Sequence, residues 1–291
     1  MERELFLSVR AHLALLGPHA RGRNLFSDAV IVLVYLWSVI NDRSVLWACV
    51  PKNWPGDLRP RRLPSQSRMS RRLRAASVRE LLGKLEERVL RAGRPAPLAC
   101  AVDGKALPVG THSHDKHARW GRGTGVWAKG YKLHLLLSTA GTVVAWRLSP
   151  MSGNEREMAR RMLKSARCAG YILGDKEFDT NYLYEEAQCH GGQLVAPRQK
   201  GPDKGLGRRP QAPGRLRSKD LLENSLSSFG RQLWVTRSVI ERRFGYLSST
   251  GGLLTHLPGW VRTYPRVHRW VQAKMILAEL RITIRHPRIA A

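Results

Sequence analysis

Residues 98–105 have the sequence LACAVDGK, and residues 171–175 have the sequence YILGD. Each segment is a short apolar run that ends at an aspartate, Asp103 in the first and Asp175 in the second. Such a run, bounded by glycine and polar residues, is typical of a strand buried in a sheet. Because ligand-binding groups of an α/β sheet collect beyond its strand ends, these two aspartates are candidates for a common site.

The segments around these two strands alternate between strand and helix patterns. The predicted strands are at residues 129–138, 142–148 and 193–197, and the predicted helices are at residues 154–167, 180–189, 234–247 and 267–284. The basic, Gly- and Pro-rich residues 199–219 are predicted to be a loop. Along the chain, the predicted order is three strands, a helix, a strand, a helix and a strand. This order predicts an α/β fold class with a mixed sheet and flanking helices.

Residues 1–95 have apolar residues at helical spacing and predict an all-α N-terminal region, in which Ser27 caps an apolar helix. Residues 65–74, SQSRMSRRLR, precede a second amphipathic segment. This order is typical of a helix-turn-helix that enters the major groove of DNA, with Arg71 and Arg72 as contacts. A solvated basic helix in a small bundle has the same pattern, so both interpretations stay open. The predicted domains are residues 1–95 and 96–291.

The charge balance indicates a polyanionic partner. The chain of 291 residues has 50 Lys+Arg against 22 Asp+Glu, a formal net charge of +28. Nucleic acid is the commonest ligand of so basic a chain, although codon bias in a GC-rich genome also enriches arginine. The four cysteines form no C-x-x-C pair, which suits a reducing cytoplasm. The longest apolar run, residues 29–40, is too short to span a membrane.

Acids are scarce, so their placement carries information. Glu241 lies on a predicted helix among Arg237, Arg242 and Arg243, where it could simply be an ion-pair partner. A chemical role is the alternative, because two divalent ions about 3.5–4 Å apart can stabilise both oxygens of a phosphodiester cleavage. Mg²⁺ prefers oxygen ligands of the kind that carboxylates offer.

Four segments together resemble bacterial insertion-sequence DDE transposases. They are residues 102–105 (VDGK), 129–135 (KGYKLHL), 173–179 (LGDKEFD) and 234–245 (WVTRSVIERRFG), and the resemblance covers roughly residues 98–285. It implies a ribonuclease H-like catalytic core that binds double-stranded DNA at the element ends and the target. It also implies a metal triad of Asp103, Asp175 and Glu241 that holds Mg²⁺, with Mn²⁺ as a substitute. The implied function is metal-dependent cleavage of element ends and strand transfer, by a homodimer on DNA in the bacterial nucleoid.

One subgroup of these transposases has the signature Tyr-x2-Arg-x3-Glu-x6-Lys, to which Trp234, Arg237, Glu241 and Ser248 correspond here. By this resemblance Arg237 holds a phosphate and Trp234 stacks against a base. Ser248 departs from the signature, because a hydroxyl cannot supply the phosphate contact of a lysine. The further candidate DNA contacts are Lys129, Lys132 and Arg242.

Two other functions remain open at this point. The chain could be a nuclease or resolvase of the same fold that cuts without strand transfer, or a catalytically inactive DNA-binding regulator descended from a transposase. The histidines at positions 112, 114 and 117 are interpreted as a polar loop near DNA in preference to a zinc site. Asp179 is predicted to cap the helix after it, and Trp260 and Trp270 are predicted to be core residues.

Overall fold

The computed structural model describes residues 1–17, 25–91, 97–123, 125–166, 168–200, 205–206, 210–223, 228–249, 254 and 257–285. The chain divides into two compact units. The helical unit comprises residues 1–92 and 258–291, and the sheet unit comprises residues 93–257. The predicted domains differ from this division at the C-terminus, because residues 258–291 group with the N-terminal helices and not with the sheet.

The helical unit begins with five helices along the described residues. They are α1 (Glu2–Ala14), α2 (Asp28–Ile40), α3 (Val45–Ala48), α4 (Gln66–Arg72) and α5 (Ala76–Arg91). The cap predicted at Ser27 is confirmed, since its side chain accepts a hydrogen bond from the Val30 amide of α2 at 3.4 Å. Ser65 caps α4 in the same way. Residues 73–75 separate α4 from α5, so two short-linked helices stand where the sequence suggested a helix-turn-helix.

The sheet unit contains, within the described residues, a mixed sheet of six strands. They are β1 (Ala99–Pro108), β2 (Arg119–Arg122), β3 (Trp127–Ser138), β4 (Val143–Pro150), β5 (Tyr171–Leu173) and β6 (Gln193–Val195). One edge of β3 pairs with β2 and β4 and the other with β1, all antiparallel, while β5 pairs parallel with β1 and β6 parallel with β5. The predicted α/β fold class with a ribonuclease H-like mixed sheet is confirmed.

Five helices of the described chain belong to the sheet unit. They are α6 (Glu155–Ala166), α7 (Asn181–Cys189), α8 (Pro213–Glu223), α9 (Phe229–Val235) and α10 (Ser238–Ser249). Val102 of β1 is buried in a core with Met162 of α6 and Leu183 of α7. Successive strand residues point to opposite faces, and Lys105 accordingly lies against Phe244 of α10, 5.8 Å from its ring centroid. Helices therefore flank both faces of β1.

Strand β1 is longer than its apolar run indicated. The run predicted a strand that ends at Asp103, whereas β1 continues through Asp103 to Pro108. The additional residues pair with β3, from Asp103↔Leu135 to Pro108↔Gly130. Backbone pairing with a long neighbour continues a strand where the apolar pattern has stopped. The prediction that Asp103 ends its strand is therefore wrong.

Two predictions for the later part of the sheet unit, one of a loop and one of a helix, are also wrong. Helix α8 begins inside the predicted loop of residues 199–219, of which residues 201–204 and 207–209 lie outside the described residues. Pro213 stands at its first position, where a missing N–H costs no hydrogen bond. The single helix predicted over residues 234–247 is α9 and α10, separated by Thr236 and Arg237. The Thr236 hydroxyl donates to the Leu233 carbonyl at 2.6 Å and so competes with helix continuation.

Helix α11 (Tyr264–Arg285) completes the helical unit. It packs against α1, α2 and α5. Trp270 is buried on it, as predicted, whereas Trp260 is 45% exposed and is not a core residue. None of the helices in the described part of the chain combines the length and apolar character that a membrane span requires.

Candidate active site

Asp103 lies within β1 on the face that α10 covers. Its Oδ1 accepts a hydrogen bond from the Gly104 amide at 2.7 Å, and its Oδ2 accepts one from Nη2 of Arg237 at 3.0 Å. Burial raises the pKa of the Asp103 carboxyl to about 6, against the lowering effects of the Gly104 amide and Arg237. The charges of Asp175 and Glu155 raise the pKa of Asp103 further. Asp103 is therefore a largely buried carboxyl whose pKa is raised by burial first and by the charges of two other acids second.

Asp175 follows β5, the parallel neighbour of β1. The register pairs Ala101 with Leu173, two residues before each aspartate, so the two strands deliver Asp103 and Asp175 to the same part of the sheet. Oδ1 of Asp175 accepts a hydrogen bond from the Glu177 amide at 2.9 Å. Burial is the main cause that raises the pKa of Asp175. The two sheet acids of the predicted triad are thus brought together.

Glu241 reaches this pair through Arg237. Nη1 of Arg237 donates to Oε1 of Glu241 at 3.1 Å while Nη2 of the same guanidinium donates to Asp103. The Arg237 side chain is 13% exposed and that of Glu241 is 65% exposed. One buried cation therefore lies between the first and third predicted triad members, and Glu241 stands at the open side of the site.

Trp234 of α9 anchors this helix to the loop that carries Asp175. Its indole Nε1 donates to the Gly174 carbonyl at 3.3 Å, and its ring centroid lies 6.0 Å from the guanidinium carbon of Arg237. The side chain is half-buried. Trp234 thus positions both Arg237 and the turn before Asp175.

Glu155 is a member of this site that the sequence analysis missed. It begins α6 and accepts a hydrogen bond from Nζ of Lys132 at 2.5 Å. Its charge raises the pKa of both Asp103 and Asp175. Acids are favoured in the first turn of a helix by its dipole, so the position of Glu155 in α6 does not by itself indicate a site. The sequence offered no signal for this role, because only the pairing of β3 with β4 and the packing of α6 bring Glu155 to Lys132.

The other predicted DNA contacts are placed as follows. Lys132 is paired with Glu155, and Nζ of Lys129 donates to the Ser113 carbonyl at 2.7 Å. Arg242 is exposed on α10, where it donates to the Ser238 hydroxyl at 3.1 Å. Arg71 and Arg72 belong to α4 in the helical unit; Arg71 is exposed and Arg72 forms an ion pair with Asp28.

The side chains of Ser248 and Asp179 make contacts that the sequence motifs did not predict. Ser248 donates its hydroxyl to the Phe244 carbonyl at 2.7 Å within α10. Asp179 does not cap α7: the N-cap position is Thr180, and the buried Asp179 carboxylate instead pairs with Arg215 at 2.6 Å. The predicted cap at Asp179 is therefore wrong, because two hydrogen bonds from one guanidinium stabilise a buried carboxylate more than a helix terminus does.

Across the described residues, no three His, Cys, Asp or Glu side chains are arranged as ligands of one metal ion. The acids of the site nevertheless suit a divalent cation. They offer hard carboxylate oxygens. Burial is the main cause that raises the pKa of Asp103 and of Asp175, and the charges of neighbouring acids raise both further, so a nearby cation would stabilise the charged forms. Arg237 supplies that positive charge in this structure.

Residues 94–273 match the transposase DDE domain family, and the chain belongs to this family. The family consists of enzymes of DNA transposition, which bind DNA and typically use divalent metal ions. A search of curated proteins finds no match to the chain.

Proposed function

We propose that the chain is a DNA transposase that cuts the ends of its own element and transfers them to target DNA. The observation that carries this proposal is the arrangement around Arg237. Asp103 lies on β1, Asp175 follows the neighbouring parallel strand β5, and the guanidinium connects Asp103 with Glu241 on α10. Three acids from distant parts of the chain thus serve one place in the fold of a transposase family.

Asp103, Asp175 and Glu241 are the residues that would hold Mg²⁺, with Mn²⁺ as a substitute. Bound divalent ions stabilise the attacking and leaving oxygens of a phosphodiester. The support for this assignment is the oxygen-donor chemistry of the three carboxylates, together with the burial and neighbouring acidic charges that raise the pKa of Asp103.

Arg237, Lys129, Lys132 and Arg242 are proposed to hold DNA phosphates. An arginine that now pairs with two carboxylates can exchange them for a phosphate, because both partners accept the same forked hydrogen bonds. Lys132 would do the same from its pair with Glu155. Trp234 presents a half-buried ring beside Arg237, where a base could stack.

Residues 1–95, with Arg71 and Arg72 on α4, are proposed to recognise the element ends in double-stranded DNA. The support is a seven-residue basic helix joined by a short turn to α5. Joining two ends requires two active sites, so we expect a homodimer on DNA, acting in the bacterial nucleoid.

The test uses the full chain and DNA that carries the sequences flanking its gene. Wild type is compared with Asp175→Asn, which keeps an oxygen for the Glu177 amide but removes the charge. The matched control is Glu185→Gln, an exposed acid on α7. We expect Mg²⁺-dependent joining of pre-cut ends by wild type and the control, and none by Asp175→Asn.

Three outcomes would overturn parts of the proposal. Nicked product without joined product from pre-cut ends would favour a nuclease or resolvase. Specific DNA binding with no chemistry in either metal would favour an inactive regulator. Equal activity of Asp175→Asn and Glu185→Gln would remove Asp175 from the metal site.

A further inference from the structure

A cavity of about 560 Å³ opens in the helical unit. Its lining includes four arginines, Arg43, Arg74, Arg266 and Arg269, which come from three separate segments of the chain. No carboxylate is among the described residues that line it. Its volume lies in the range of small-molecule sites, about 300–1,000 Å³.

The four guanidinium groups are not neutralised by the described part of the chain, where none of them forms an ion pair with an acid. Arg269 is half-buried, and its guanidinium carbon lies 6.0 Å from the ring centroid of Tyr35. Burial is the main cause that lowers the pKa of Arg269; Tyr35 raises this pKa, and the charges of Arg266, Arg79 and Arg74 lower it further. Four like charges around one cavity repel one another, and an anion inside it would relieve that repulsion.

The other residues that line the cavity are suited to contact a flat aromatic ring. Trp260 is 45% exposed and Leu46 is 54% exposed, so both present apolar surface to the cavity. Tyr35 is only 5% exposed, lines the same cavity, and makes no hydrogen bond through its hydroxyl within the described residues. Aromatic faces stack bases, and an unpaired hydroxyl offers a hydrogen bond to a base edge.

We propose that this cavity binds one unpaired nucleotide of a DNA strand, with its phosphate on the arginines and its base against Trp260. A single nucleotide fits a cavity of this volume, whereas a base inside a duplex is stacked between its neighbours and cannot enter. The identity of the polymer rests on the proposed function. The anionic and aromatic character of the ligand follows from the cavity alone.

The test measures binding to the full-length protein by calorimetry with three probes: deoxyadenosine 5′-monophosphate, deoxyadenosine and inorganic phosphate. The double variant Arg74→Gln with Arg266→Gln removes two exposed cavity cations. Its matched control is Arg10→Gln with Arg59→Gln, two exposed arginines of the same unit that do not line the cavity. We expect the cavity variant to weaken monophosphate binding by about tenfold or more and the control by less than about twofold.

Trp260→Ala separates base recognition from phosphate recognition. It should weaken monophosphate binding and leave inorganic phosphate binding unchanged. Trp120→Ala, which removes an equally exposed ring from the sheet unit, should change neither. Equal loss in the two double variants, or equal affinity for the monophosphate and inorganic phosphate, would overturn the nucleotide site.

A DNA arm identifies the source of the nucleotide. Duplexes with a single-stranded overhang should bind more tightly than blunt duplexes of the same length, and the cavity variant should lose this preference. Monophosphate binding without any overhang preference would overturn assignment to a DNA strand in favour of a free nucleotide. Metal-dependent cleavage by wild type is measured separately. Cleavage without nucleotide binding would therefore contradict the cavity site alone, and nucleotide binding without cleavage would contradict the transposase function alone.

Discussion

Arg237 contacts Asp103 and Glu241 through the two terminal nitrogens of one guanidinium. A cation at this position lowers the pKa of Asp103 and of Asp175. It also opposes any second cation that approaches the same carboxylates. If these acids hold the proposed divalent ion, Arg237 would compete with it in the absence of DNA, and a phosphate that draws Arg237 away would favour the ion.

Arg237→Gln should consequently have opposite effects on two measurements. Removal of one positive charge within about 4 Å of the acids should raise the affinity of the DNA-free protein for Mn²⁺ by about tenfold. End joining should fall, because the variant lacks the phosphate contact. Electron paramagnetic resonance measures free Mn²⁺ directly, and Arg242→Gln on the exposed side of α10 should leave the affinity unchanged. A lower Mn²⁺ affinity in Arg237→Gln would contradict the competition.

Asp103 should reduce the stability of the metal-free protein at neutral pH. Its pKa is about 6 in the folded chain and about 3.9 in an unfolded one. A carboxyl whose folded pKa is raised contributes stability that is fully present below the unfolded pKa and is lost as the pH rises through the folded pKa. This contribution to stability is therefore lost between about pH 4 and pH 6, and above that range the charged Asp103 favours unfolding.

Asp103→Asn removes this titration and should stabilise the protein at neutral pH. The pKa difference corresponds to about 2–3 kcal/mol at roughly 1.4 kcal/mol per unit. Thermal unfolding in a chelator should show the variant well above wild type near neutral pH, with a smaller difference near pH 4. Glu185→Gln, a charge removed from an exposed site, should change neither value. If Asp103→Asn melts below wild type at both pH values, the hydrogen bonds of the Asp103 carboxylate contribute more to stability than the burial of its charge costs.

At the scale of elements, β1 and α6 meet at Gly104. A Cβ atom there would lie 2.9 Å from Oε2 of Glu155 and 3.3 Å from both His134 Nδ1 and Lys132 Cδ. Gly104→Ala should therefore displace the Glu155–Lys132 pair without unfolding the sheet, because the nearest atom, the only one under 3.0 Å, is the end of the Glu155 side chain. We expect cleavage to fall by about tenfold or more, since small displacements in active sites have large effects on rate.

The control for Gly104→Ala is Gly245→Ala on α10. No atom lies within 4 Å of a Cβ built at Gly245, and the residue is exposed. Alanine in a helix interior should stabilise the protein by about 0.5–1 kcal/mol and leave cleavage unchanged. Cleavage rates and melting temperatures of both variants decide the outcome. Full activity of Gly104→Ala would show that the position of Glu155 does not matter.

Apolar patterns in the sequence predicted the buried parts of the strands and helices. They did not predict the parts whose structure depends on neighbouring elements of the fold. The apolar run before Asp103 located β1, but its continuation to Pro108 depends on pairing with β3, which local sequence does not record. Helix α8 was obscured by Gly and Arg, although Pro213 at its first position was an available sign. Local periodicity reports burial, and tertiary pairing sets where an element ends.

The candidate site likewise combines residues that the sequence predicted with one residue that only tertiary packing brings to the site. Asp103, Asp175 and Glu241 were predicted from strand ends and motif resemblance, and the fold brings Asp103 and Asp175 together and connects Glu241 through Arg237. Glu155 is far from them in sequence and belongs to no quoted motif. Only the packing of α6 against the sheet places its charge beside the two aspartates. A residue that acts through tertiary proximity alone leaves no pattern in one sequence.

At the scale of the whole molecule, the two units are built differently along the chain. The sheet unit is continuous from residue 93 to residue 257, whereas the helical unit is closed by a segment that follows the sheet unit. Helix α11 buries most of its central residues, including Val267, Trp270 and Leu280, against the N-terminal helices. The N-terminal helices therefore lack part of their core until the rest of the chain has been made.

This connectivity predicts how fragments of the chain behave. A fragment of residues 93–257 should fold by itself, because its strands and helices all lie within it. A fragment of residues 1–92 should show little cooperative unfolding, since loss of α11 exposes the apolar faces of α1, α2 and α5 at about 25 cal/mol per Å². Adding a peptide of residues 258–291 should restore helicity and a sharp thermal transition, measured by circular dichroism. The control peptide carries Trp270→Ser and Leu277→Ser, two buried positions of α11, and should not restore it. If residues 1–92 alone melt cooperatively with full helicity, α11 is not part of their core, and the grouping of the terminal segment with the N-terminal helices is wrong.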